Sequence, residues 1–215
     1  MTLQDLVIPN PNEQKKYTAI IEAAFKVFAR DGLHKGKIAD IAKEAGVGKG
    51  TVYEYFRSKE DIFTAILNQF FDLIQTGLDE VNRLEIPADQ KVTTLLEMNL
   101  DWFKTTTTEE ALIVTEIWAQ GLRSFYVGQP DDALILRYRK IQSTMMSILD
   151  QGVTDGVFRA VESETLAILL MATLDGIGLH FLMNQSLDIE KLKRVTIRAF
   201  LEGILVRPNS TQPQE

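Results

Sequence analysis

Between Gly48 and Phe56 the chain carries Lys49, Thr51, Tyr53, Glu54 and Tyr55, with Lys59 just beyond. An ammonium at Lys49 can donate to a guanine O6/N7 edge or to a phosphate. The Thr51 hydroxyl suits a phosphate and its methyl suits a thymine methyl. The Tyr53 and Tyr55 hydroxyls and Lys59 can donate to phosphates, which sets register, while Lys49, Gly50, Thr51 and Tyr53 read bases. Gly50 lets a backbone come close to DNA. This is chemistry for the groove of a duplex. Glu54 is the exception in charge: beside phosphates it costs binding unless it points away or accepts from a cytosine N4.

Other chemistries find little support. The chain has no cysteine, so disulfides, thiolate metal sites and cysteine nucleophiles are excluded. His34 and His180 stand far apart, and no metal site and no cofactor are expected. No nucleophile, base and acid stand at telling spacing, so no enzyme is expected. Gly46-Val47-Gly48-Lys49-Gly50-Thr51 is a poor phosphate loop. Lys43 occupies the place of its leading glycine, Gly50 follows Lys49 where Ser or Thr is required, and no strand precedes it.

The net charge of −7 is unevenly spread. Residues 13–59 carry a net +4, leaving −11 for the rest, as suits a small polyanion-binding head on an acidic body. The head must hold its reading residues on short helices. Ile20, Ile21, Ala24, Phe25 and Phe28 form one apolar stripe of a helix from Lys15, which Asp31-Gly32 ends. A second helix covers about 37–45, Gly46-Val47-Gly48 breaks it, and a third runs about 49–56 with Val52 and Phe56 inward. Ser58 caps the next helix, which extends to about Leu84, with Asp61 favouring its N-terminal dipole.

Beyond Pro87 the sequence predicts helices at about 88–105, 109–126, 131–152, 163–184 and 188–206. Gly128–Pro130 is a turn and 153–161 a connection. The fold class is all-α, about nine helices, with no strand alternation and no internal repeat. The organisation expected is a flexible arm at 1–12, a helix-turn-helix head at 13–60, a helical body at 61–207 and a disordered tail at 208–215.

Residues 41–59 read Ile41-Ala42-x-x-Ala45-Gly46-Val47-x-x-Gly50-Thr51-Val52-Tyr53-x-Tyr55-Phe56-x-Ser58-Lys59. This gap-free pattern resembles the DNA-binding domain of TetR-family repressors, over about residues 14–65. The resemblance implies a DNA-binding head and a dimerising body whose small-molecule ligand releases repression. The chain departs from the family pattern at four places. Gly36 and Lys37 replace the usual Thr or Ser at the start of the second helix, where Gly36 can cap and Lys37 becomes the phosphate contact. Gly48 replaces a Ser, and Glu54 stands where His is common. A structural helical hairpin and a regulator that has lost DNA binding, or one that activates, remain the alternatives.

In the body, Val114, Trp118, Leu122 and Phe125 share one helix face, and Leu95, Met98 and Trp102 another. With Met145, Met146 and Leu149 they can line a cavity for a small apolar or aromatic effector. Asn99, Glu116, Arg123 and His180 are candidate polar anchors. Ordinary core packing is the alternative for each. The helices at 163–184 and 188–206 are apolar over more than one face, which predicts a homodimer through a two-fold four-helix bundle. Two recognition helices then read a palindromic operator. The most apolar stretch, Leu166 to Met183, is interrupted by Asp175 and His180 and reads as a buried helix rather than a membrane span. No secretory signal is visible, and a cytoplasmic location is expected.

Overall fold

The computed structural model describes residues 11–128, 132–184 and 186–206, apart from the side chains of Pro11, Phe125 and Asp132. The expected arm up to residue 10, the tail at 208–215 and the Phe125 side chain lie outside the described residues. Nine α-helices are described: α1 (Pro11–Lys35), α2 (Ile38–Glu44), α3 (Lys49–Tyr55), α4 (Lys59–Arg83), α5 (Ala88–Thr105), α6 (Thr108–Tyr126), α7 (Asp132–Thr154), α8 (Ser163–Met183) and α9 (Ile189–Ile204). The chain divides into two compact units, Met1–Asp72 with Thr107–Pro130, and Leu73–Thr106 with Asp131–Glu215.

In the first unit α1 packs on α2 and α6, and α2 packs on α3. Of the stripe read from α1, Ile20, Ile21, Ala24 and Phe28 are buried and Phe25 is half-buried, while Val27, outside that stripe, is buried too; Ile41, Val52 and Ile62 are likewise buried. Phe28 and Phe63 meet edge to face with ring centroids 5.9 Å apart. Gly32 has φ 71°, where a side chain is strained, and it breaks the regular helix as expected, although one further turn follows. Gly46 turns the chain between α2 and α3 at φ 67°. The start of α4 is a reciprocal cap. Ser58 Oγ accepts from Asp61 N at 3.1 Å, and Asp61 Oδ2 accepts from Arg57 N at 3.1 Å.

In the second unit α5 packs on α7, α8 and α9, and α7 packs on α8. Leu96, Leu100, Ile148, Leu149, Phe158 and Leu170 are its most buried large side chains. Phe158 lies over Gly152 so closely that a Cβ there would fall 2.2 Å from the ring. Among the described residues, the 153–161 connection is tied to the end of α9 by one bridge, Phe158 to Leu205. Arg159 N donates to Ile204 O at 2.8 Å and Val206 N to Val157 O at 3.2 Å.

Helix α8 differs from the buried helix expected. Ile168, Leu169, Leu179 and Met183 are exposed, Met183 at 79%. It is long and apolar enough to cross a membrane by length and composition, yet only 22% of its apolar window is buried. The reason is that one helix face suffices for α5 and α7, and the second apolar face is left over.

Candidate nucleic-acid interface

The reading residues sit on a seven-residue helix that cannot stand alone. Val52, fully buried, and Phe56 fix α3 to the head, and the Phe56 ring stacks on Tyr17 at 5.2 Å. Tyr55 is half-buried and meets Tyr17 edge to face at 6.3 Å, so its ring is held rather than free. Desolvation first, then the charges of Glu13 and Glu54, push the Tyr55 phenol above its ordinary value. The hydroxyl therefore stays protonated as a donor.

Opposite that packed face lie Gly48, Lys49, Gly50, Tyr53 and Glu54, all exposed, with Thr51 at the margin. Tyr53 is 56% exposed. A Cβ added at Gly48 or Gly50 would meet nothing within 4 Å. With φ −74°, Gly48 occupies a backbone region open to any residue. Within the head these glycines are therefore not demanded by packing.

Two sequence assignments gain a different local cause. Lys37 is the N-cap residue of α2, exposed, with no side-chain cap bond. Gly36 is buried instead of capping: a Cβ there would lie 2.8 Å from Phe28 Cδ1 and 3.1 Å from Gly32 O. Lys59 Nζ donates to His34 O at 2.7 Å and Gly36 O at 3.3 Å, so its ammonium closes the end of α1. That second role was not visible in the sequence, because it joins residues far apart in the chain. Nearby cations are also engaged: Arg30 lies 2.8 Å from Asp31, and Lys26 3.7 Å from Glu44. Lys37, Lys43 and Lys49 form no ion pair among the described residues.

The family description "Bacterial regulatory proteins, tetR family" matches residues 20–66, the part that carries this geometry. A second, "BetI-type transcriptional repressor, C-terminal", matches residues 88–206. The chain belongs to the TetR family. The Bacillus subtilis fatty acid metabolism regulator protein is 26% identical over 198 residues, covering 89% of this chain and 97% of its own length. The transcriptional regulator BetI of Vibrio campbellii is 25% identical over 196 residues, covering 85% and 88%. The fold matches that of Bacillus subtilis FadR in complex with stearoyl-CoA, with TM-score 0.74, 22% identity and coverage of 87% and 99%. This TetR-family chain is thus a DNA-binding transcriptional repressor with a helix-turn-helix head.

The residues expected to line an effector pocket come from both units. In the first unit Trp118 and Leu122 of α6 are exposed, and Arg123 donates to Glu116 at 2.9 Å, pairing two of the candidate anchors with each other. In the second unit Met145 and Leu149 are buried, Trp102 is half-buried, and Met98, Asn99 and His180 are exposed. The open groove of about 510 Å³ between α8 and α9, edged by Leu166, Leu169, Phe200 and Gly203, involves none of them. Sequence reasoning missed Gln75. It is 93% buried, its Nε2 donates to Asp79 at 2.7 Å and Thr144 at 3.0 Å, and its Oε1 has no donor.

Proposed function

We propose that the protein acts as a homodimer that holds a palindromic operator in two successive major grooves and releases it when a small apolar or aromatic effector binds the body. The observation that carries the DNA contact is the outer face of α3: Lys49, Gly50, Thr51 and Tyr53 project from a helix whose other face is locked by Val52 and Phe56. Lys37, Gly48, Tyr55 and Lys59 border that face and serve phosphates, Lys59 with the donor capacity left after capping α1. The leftover apolar face of α8, with α9, is the surface a second copy covers. Asp175 and His180 on α8 argue for a protein partner rather than lipid. Such a repressor works in the cytoplasm, beside the chromosome, and performs no catalysis.

For the effector, Met98, Trp102, Trp118, Leu122, Phe125, Met145, Leu149 and His180 are the proposed contacts. The stearoyl-CoA of Bacillus subtilis FadR supports an apolar ligand in a like fold. The orphan Gln75 Oε1, the one buried side-chain polar atom without a partner among the described residues, offers a ligand N–H or O–H a partner. Release requires the effector to bind the DNA-incompetent state more tightly.

Selection from a random duplex library tests the reading. The wild-type protein should enrich a two-fold symmetric sequence with salt-dependent affinity, and Lys49→Ala should weaken binding about ten-fold or more. If nothing is enriched at any salt, the groove-reading assignment is wrong.

A further inference from the structure

The position of Glu54 on α3 decides what an acid does on a recognition helix. At 3.6 residues per turn, successive side chains are about 100° apart. Taking buried Val52 as the inward direction, Gly50 and Glu54 fall within about 20° of the opposite direction. They stand one turn apart on the outermost line of the helix, while Thr51 and Tyr53 flank it about 80° to either side. Glu54 therefore cannot turn away from a groove that α3 enters. Gly50 adds to this, because with no side chain one turn earlier the backbone comes close to the base pairs at that end.

The carboxylate is costly where it stands. It occupies the last turn of α3, where the helix dipole disfavours an anion, and no basic residue shares that turn. It has no ion pair or side-chain hydrogen bond among the described residues. Fold stability does not account for an unpaired acid at this point, and general attraction to phosphate opposes it. What an anion on the outermost line does supply is discrimination. In the major groove guanine presents N7 and O6 and thymine O4, acceptors that repel a carboxylate, while adenine sets its N7 acceptor against the carboxylate beside its N6 amino donor. Cytosine presents only its N4 amino donor.

We propose that Glu54 is a specificity-determining residue that accepts a hydrogen bond from the N4 amino group of a cytosine in each operator half-site and repels the other bases there. This rests on the groove-reading role of α3 proposed above. The carboxylate serves less to hold DNA than to reject wrong DNA, so the repressor gives up general affinity for selectivity.

The experiment is the random-duplex selection repeated with Glu54→Gln and Glu54→Ala, each first checked for wild-type helicity and thermal midpoint. Wild type should enrich a cytosine at one position of each half-site. Glu54→Gln should move that position to adenine, whose N6 and N7 a carboxamide reads together. Glu54→Ala should leave the position unselective, cut the preference for the wild-type operator over a cytosine-replaced operator about ten-fold, and bind unrelated duplex at least as tightly as wild type. If wild type and both variants enrich the same base at every position, the proposal is overturned while the groove-reading role stands. If wild type enriches nothing, it is the role of α3 that fails.

Discussion

At Gly36 the ring of Phe28 lies where any side chain would begin, with a Cβ 2.8 Å from Phe28 Cδ1. Phe28 is itself almost fully buried and braced by Phe63, so it has little room to give. Gly36→Ala should therefore cost about 1–3 kcal/mol of stability by overpacking, read from chemical unfolding. The sequence alone suggested a cap at Gly36, because a glycine before a helix has that common use. The ring above it arrives from the preceding helix and leaves no local trace. Gly32 was legible for the opposite reason, since ending a helix at positive φ is a local event with a local residue preference. The outer face of α3 was legible too, because alternating buried and polar residues on a short helix fix which side faces out. Lys59 was half legible: its charge and place were plain, but its bonds to His34 O and Gly36 O were not.

At the scale of elements, helix type and number followed from apolar spacing, and most ends fell within a residue or two of the structure. The N-terminus of α1 and the C-terminus of α7 extend further than the breakers implied, to Pro11 and Thr154. What spacing could not supply was the pairing between helices. Tyr138 of α7 donates to Asp175 of α8 at 3.0 Å, placing an acid in the exposed apolar face of α8. Desolvation raises the Asp175 carboxyl above its ordinary range, outweighing the lowering effect of the Tyr138 bond, and desolvation likewise raises the Tyr138 phenol. A raised carboxyl binds its proton more tightly in the fold than in the unfolded chain. The stabilisation this gives is complete below the ordinary aspartate value and is lost as pH rises through the elevated one. Asp175→Asn keeps an acceptor for Tyr138 and removes the charge. It should raise the thermal midpoint at pH 7 and match wild type near pH 3, as read by calorimetry at both values.

At the scale of the whole molecule, two apolar faces on one helix announced a second surface, but not which face would be left over. Leu170 and Leu174 go inward, while Leu169 and Leu179 stay 54% and 59% exposed. Choosing between them needs α5 and α7 in place. Leu169→Lys with Leu179→Lys should leave the chain folded, shift its sedimentation from two copies to one, and weaken operator binding about 100-fold or more through lost bivalency. A double variant that still sediments as a dimer would move the interface elsewhere. The ammonium of Lys59 bears on how such a molecule is controlled. By bonding His34 O and Gly36 O, it ties the first turn of α4 to the corner that precedes α2. The head is then a stamp with a fixed design. An effector can change where and at what tilt the stamp comes down, but not what is engraved on it, so the same operator should be read in every state that binds DNA at all.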